Sequence, residues 1–281
     1  MHCAGTRAMT DPVSGLQRFC ALVQYDGTDY AGWQRQVNAL SIQQVIEEAL
    51  EKLMGNPVRI TASGRTDTGV HALGQVFHFD ARPGIRYEAA LNTLLPKDIR
   101  ILEVRPAAPD FHARFSARKK RYDYWMTSRQ PDPFTWRYKW FRPKKPDPGR
   151  MREAAAFLLG THDFTSFTNC HHHPDKSLVR TVTRLEILEE GEDIHLVFEG
   201  TGFLRYQVRM MTAVLDAAGR GRIEPQDVRR MLEMKDKHAS RYNAPAHGLF
   251  LTRVWYDPGA ADWTKTAAKG RMKDDYEHTE P

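Results

Sequence analysis

Along Arg18 to Asp26 (RFCALVQYD) apolar and polar residues alternate with the two-residue period of a half-buried strand, and the pattern stops at Asp26-Gly27. From Ser41 the period lengthens. Ile42, Val45, Ile46, Ala49, Leu50 and Leu53 fall on one face at helical spacing, Ser41 with Gln44 reads as a capping box, and Gly55-Asn56-Pro57 ends the helix. A strand at Val58 to Ala62, a loop from Ser63 to Gly74 and an alternating strand Gln75 to Ala81 follow. A helix near Tyr87 to Leu95 and a strand near Ile99 to Val104 complete the first half.

The second half opens on a strand from Ser116 to Thr127, then a proline-punctuated insertion Gln130 to Pro148 and a helix from about Arg150 to Leu159, closed by Gly160. Val179 to Glu189 and Ile194 to Phe198 read as a hairpin around Gly191. A helix with Val208, Met211, Thr212 and Leu215 on one face runs to Gly219, a short helix follows Pro225, and Leu249 to Tyr256 is a last strand. The expected organisation is a leader (1–17), an N-terminal α+β half (18–112), a C-terminal α+β half (113–258) and a tail of low order (259–281). Helices and strands mix without strict alternation, so the class is α+β rather than a doubly wound parallel sheet.

Composition changes this picture at two points. A hydrophobic fraction of 41% with 27% charged residues excludes a disordered or fibrous chain. No run approaches the ~18 apolar residues of a spanning helix, and the first residues hold no secretory apolar stretch, so the expected location is the cytoplasm, with no membrane partner. Cys3, Cys20 and Cys170 form no CxxC pair, which argues against a disulfide framework. The charge is uneven: residues 112–152 hold 13 Lys and Arg against three acids, with nine aromatics, while the rest of the chain has 28 basic against 32 acidic residues. Positive charge interleaved with flat rings points to nucleic acid as partner, the alternative being a solvated basic face.

Candidate chemistry lies in the loop Gly64-Arg65-Thr66-Asp67-Thr68-Gly69-Val70-His71-Ala72-Leu73-Gly74-Gln75, whose three glycines suit a backbone that presents one side chain, Asp67, to a ligand. An Asx-turn, with Asp67 bonding nearby amides, is the structural alternative. A phosphate cradle fits poorly, because Asp67 would repel the anion. His71 reads as a loop-ordering residue rather than a base. Cys170-His171-His172-His173 near His162 suggests a metal cluster, but consecutive extended residues point to alternate sides, and no metal site is expected.

GRTDTGVHALGQV resembles the catalytic motif of the TruA family of tRNA pseudouridine synthases. Further matches are Tyr25-Asp26-Gly27-Thr28, Gly32-Trp33-Gln34-Arg35-Gln36, Asp110 to Ala117, Lys120-Arg121-Tyr122-Asp123-Tyr124, Gly160 to Phe167, Gly202-Phe203-Leu204 through Val208-Arg209, Ala244-Pro245, and Gly248 to Leu251. Gln207 and Ala213 depart from the family, which usually has Met and Gly there. The resemblance implies two ferredoxin-like halves, with mainly antiparallel sheets, meeting over a central catalytic cleft. It implies a homodimer in which one tRNA touches both subunits, and isomerisation of uridine to pseudouridine at positions 38 to 40 of the anticodon arm without cofactor or metal.

Asp67 would then be the nucleophile. Burial would raise its pKa, so a cation must hold the charge, and Arg65 and Arg209 are the candidates, Arg209 by its match to the family's active-site arginine. Tyr122 matches a tyrosine that stacks on the target base, a contact worth about 1–3 kcal/mol. It reads equally as a core aromatic beside Tyr124. Leu249 matches an apolar pocket residue, and Arg118, Lys119 and Lys120 are expected to contact phosphates. Two other classes compete: a non-catalytic RNA-binding module, which has no need of an acid facing phosphates, and a glycoside or nucleoside hydrolase, which normally needs two carboxylates, with only Asp26 or Asp29 as distant partners for Asp67.

Overall fold

A computed structural model describes residues 15–169, 177–240 and 242–258. The first half runs β1 (Gln17–Tyr25), α1 (Ile42–Met54), β2 (Thr61–Ala62), β3 (His71–Ala81), α2 (Tyr87–Leu94) and β4 (Ile99–Pro106). The second runs β5 (Lys119–Thr127), β6 (Trp140–Phe141), α3 (Pro148–Ala156), β7 (Gly160–Asp163), β8 (Val179–Glu190), β9 (Asp193–Gly200), α4 (Gln207–Gly219), α5 (Pro225–Met234) and β10 (Leu249–Trp255). The class is α+β with a mixed sheet.

All these strands join one sheet in the order β4-β1-β3-β10-β5-β9-β8-β7, with β2 on β3 and β6 on β5. The sheets of the two halves are thus continuous rather than separate. Their seam is the parallel pairing of β10 with β3, Phe250 opposite His71 and Leu251 opposite Ala72. Across β10 the next strand is β5, antiparallel, with Leu251 opposite Tyr122 and Leu249 opposite Tyr124. The seam therefore places the end of the Asp67 loop, the start of β10 and the middle of β5 side by side.

Local chemistry explains the element ends. Ser41 Oγ accepts from Gln44 N, but the Gln44 side chain bonds Glu48, so only half of the expected capping box forms. Asp147 caps α3 by accepting from Gly149 N and Arg150 N, which starts the helix at Pro148, two residues ahead of the sequence reading. β3 begins at His71 rather than Gln75, because pairing with β10 extends it across the seam. β2 keeps only two residues of the expected strand, and β6 and β7, absent from the sequence reading, are short pieces whose sequences lack alternation. Trp33, Ile42, Ile46, Leu50 and Phe77 are fully buried in the first half, and Tyr124, Phe164, Phe167 and Phe198 in the second.

Candidate active site

The loop joining β2 to β3 is held from several sides. Gly32 has φ +84°, a conformation glycine tolerates best, and a Cβ there would lie 2.6 Å from the Thr66 carbonyl oxygen. Trp33 N donates to that same carbonyl at 3.1 Å, so the Gly32-Trp33 backbone forms the floor under Thr66-Asp67. Thr66 Oγ1 and Tyr25 Oη share a buried hydrogen bond of 2.8 Å. At the loop's root, Ser63 Oγ donates to Gln75 Oε1 at 2.6 Å and Gln75 Nε2 donates to the Gly64 carbonyl at 2.9 Å. At its end the buried His71 accepts from Gly27 N through Nδ1 at 3.1 Å, while Nε2 lies 3.1 Å and 3.2 Å from the carbonyls of Arg137 and His247. Burial lowers the His71 pKa and favours the neutral ring, against the pull of Asp26 Oδ1 3.0 Å from Nδ1, and the ring's bonds tie the end of the loop to neighbouring segments.

Asp67 sits at the apex with its side chain 22% exposed, and its Oδ2 lies 3.5 Å from Nη1 of Arg209, itself 13% exposed. Its partner is thus a guanidinium rather than a backbone amide. Burial raises the Asp67 pKa above the usual carboxylate value, while Arg209 first and Arg205 second pull it back. Arg209 lies in the first turn of α4, where its Nε donates to the Ala244 carbonyl at 2.8 Å and Ala244 N returns a bond to the Arg209 carbonyl. That exchange gives the Ala244-Pro245 motif a physical reason. Arg65, the other expected cation, is exposed and forms no ion pair with Asp67 among the described residues.

Arg205 and Tyr206 were not anticipated. Tyr206 caps α4 with φ +65°, a left-handed conformation costly for a side-chain-bearing residue. Its ring lies 5.0 Å from both the Arg205 and the Arg209 guanidinium carbons, so one ring faces the two cations that act on Asp67. Arg205 was legible in principle, standing four residues ahead of Arg209; the strained cap was not. Tyr122 is buried, packs edge-on against Phe203 at 5.4 Å, and feels Asp67, whose charge adds to burial in pushing the phenol pKa up. Leu249 is buried at the start of β10.

The basic run expected to contact phosphates is split by the pleat of β5. Arg118 is exposed and grips Asp257 through Nε and Nη2, the latter at 2.6 Å. Lys119 donates to Glu199 Oε2 at 2.7 Å and lies 4.2 Å from the Trp255 ring centroid. Lys120 turns to the Tyr122 face and its Nζ donates to the Ser63 carbonyl at 2.6 Å. Of the three, Arg118 is the most exposed, with Lys119 and Lys120 half-buried. Cys170 to His173 lie outside the described residues, and His162 Nε2 is bonded to the Leu159 carbonyl at 2.6 Å. Among the described residues no group of three or more His, Cys, Asp or Glu is placed to hold a metal, and no helix is long and apolar enough to cross a membrane.

A carboxylate largely shielded from water thus lies beside two arginines and near a buried phenol. Asp26, a candidate second acid, is instead bonded by Thr28 and by the Tyr138 hydroxyl, the latter at 2.7 Å, and Asp29 is exposed beside Arg137. The family described as tRNA pseudouridine synthase matches residues 21–116 and 154–257, spans that include Asp67, Arg209 and Leu249. Curated relatives named tRNA pseudouridine synthase A are 43% identical in Exiguobacterium sibiricum (86% of this chain, 97% of that one) and 42% in Bacillus subtilis (85% and 99%). One from Maridesulfovibrio salexigens is 38% identical over 91% of this chain and 96% of its own. The chain belongs to the tRNA pseudouridine synthase family, and its activity is that of an isomerase.

Proposed function

We propose that Asp67 is the nucleophile with which this chain isomerises uridines 38, 39 and 40 of the tRNA anticodon arm to pseudouridine. The observation that carries this reading is the Asp67–Arg209 pair, in which the charged groups acting on a shielded carboxylate are both cations, Arg209 and Arg205. In the reaction the N1–C1′ bond breaks, the uracil turns and C5 joins C1′, and the bond that the Asp67 carboxylate makes to the nucleoside is broken again, which regenerates the carboxylate. The hydrogen on C5 leaves as a proton and N1 gains one. Atoms and electrons balance without redox or phosphate input, so a poised carboxylate in a dry pocket suffices. The field of the arginines opposes the rise that burial causes in the Asp67 pKa and so favours the ionised form, and partial exclusion of water keeps it reactive.

Tyr122 offers a ring face to the displaced base, and Leu249 supplies apolar lining from the neighbouring strand. Arg118 meets the phosphate backbone by exchanging Asp257 for it. Connectivity supports reading the chain as two ferredoxin-like halves spanning 18–112 and 113–258: β1-α1-β2-β3-α2-β4 is ordered β4-β1-β3-β2, and β10-β5-β9-β8 repeats that order. The same reading carries a homodimer in the cytoplasm, for which the exposed Phe115 and Phe134 offer apolar surface. A non-catalytic RNA-binding module leaves the half-buried Asp67–Arg209 pair without a use.

Position is tested with tRNA transcripts carrying uridine at 38, 39 or 40 singly, with cytidine at the other two. Incubation with the protein and mapping of pseudouridine should show conversion at each of the three sites. Conversion elsewhere in the tRNA, with none in the anticodon arm, would overturn the positional assignment.

A further inference from the structure

Two residues before Tyr122, on the same face of β5, Lys120 turns inward and takes no part in the reaction outlined above. Its Nζ donates to the Ser63 carbonyl at 2.6 Å, at the root of the Asp67 loop. Ser63 is itself fixed: its N donates to the Val76 carbonyl at 2.7 Å and its hydroxyl donates to Gln75. Gly64 makes room for the ammonium, since a Cβ at that position would lie 2.8 Å from Lys120 Nζ. One strand of the second half therefore carries both the ring that faces the substrate and a charged tie to the loop of the first half.

We infer that Lys120 is a positioning residue, whose ammonium fastens the root of the Asp67 loop to β5 and so holds the carboxylate in register with the Tyr122 ring. This rests on Asp67 being the nucleophile. A phosphate contact, the role its place in a basic run suggests, requires an ammonium free in solvent, and this one is half-buried and bonded to a carbonyl. Desolvation first, then the charges of Arg114 and Arg180 that face it, lower its pKa to about 8. A lysine is charged below its pKa, so the tie is charge-assisted at pH 7 and weakens above about 8.

The test uses Lys120→Met, which removes the ammonium, and Gly64→Ala, which keeps the charge but pushes it off the Ser63 carbonyl. Asp67→Asn is run alongside. Tritium release from tRNA labelled at uridine C5 gives kcat and KM across pH, and tRNA binding is measured over a salt series. Both variants should lower kcat about 10- to 100-fold, the range set by an ångström-scale misplacement, with KM and the salt slope unchanged. The native rate is expected to fall above about pH 8, and Lys120→Met should lose that fall. Weaker binding with a salt slope reduced by about 0.9 in Lys120→Met, and a silent Gly64→Ala, would make Lys120 a phosphate contact and overturn the inference. If Lys120→Met does not fold, Gly64→Ala decides alone. Native rates in both variants with an inactive Asp67→Asn sink the Lys120 inference only, whereas an active Asp67→Asn sinks the nucleophile reading.

Discussion

Asp67 is held where water is scarce, and positive charge offsets the cost. Its pKa stands above the usual carboxylate value, burial being the largest cause. A carboxyl group whose folded pKa exceeds its unfolded value destabilises the fold once pH rises past the unfolded value. Asp67→Asn should therefore melt no lower than the native protein at pH 7, any gain vanishing below about pH 4, the unfolded carboxylate range. A lower melting temperature at pH 7 would show that the charge supports the fold. Arg209→Met removes the larger cation, so the carboxylate pKa rises further and the acid limb of the rate profile moves to higher pH. Tritium release from pH 5.5 to 8.5 reads this directly. A parallel drop at every pH would mean that Arg209 acts through the fold or the RNA instead.

At the scale of elements, the Asp67 loop owes its shape to segments remote in sequence, Gly32-Trp33 beneath it and Gln75 at its root. Gly32→Ala combines a left-handed backbone with a close approach to the Thr66 carbonyl, and should cost about 2 kcal/mol or more of stability along with most activity. Denaturant melts and initial rates check both; an unchanged melt would show that the floor is soft. Where period and cap chemistry agree, the sequence is legible: α1 follows from the spacing of Ile42, Ile46, Ala49 and Leu50 and from the Ser41 cap. The Asp67 loop is legible because glycines surround a lone acid. Lys120 is not, since alternation says that Lys119 and Lys120 face opposite ways but not which way is inward; β9, β10 and the Ser63 loop decide that. Arg65 shows the same limit: the chain neighbour is exposed, and the cation beside Asp67 comes from helix α4, which the sequence named only through its match to the family motif.

At the scale of the whole molecule, the site exists because the two half-sheets join edge to edge at β3 and β10, which brings the Asp67 loop, β5 and the start of α4 together. The strongly basic segment 112–152 then surrounds that seam with charges that are partly spoken for: Arg142 pairs with the buried Asp216, Lys139 with Asp193, and Arg118 with Asp257. If Arg118 exchanges Asp257 for a phosphate, Arg118→Ala flattens the log–log dependence of tRNA binding on salt by about 0.9 and leaves kcat intact. An unchanged slope would place the RNA elsewhere. The central claim is that one carboxylate, Asp67, performs the isomerisation. The most direct measurement is tritium release from C5-labelled tRNA by Asp67→Asn protein, with tRNA binding measured in the same preparation. Folded protein that binds tRNA and releases no tritium is the predicted result; release within about tenfold of the native rate, about 1.4 kcal/mol in barrier, would contradict it.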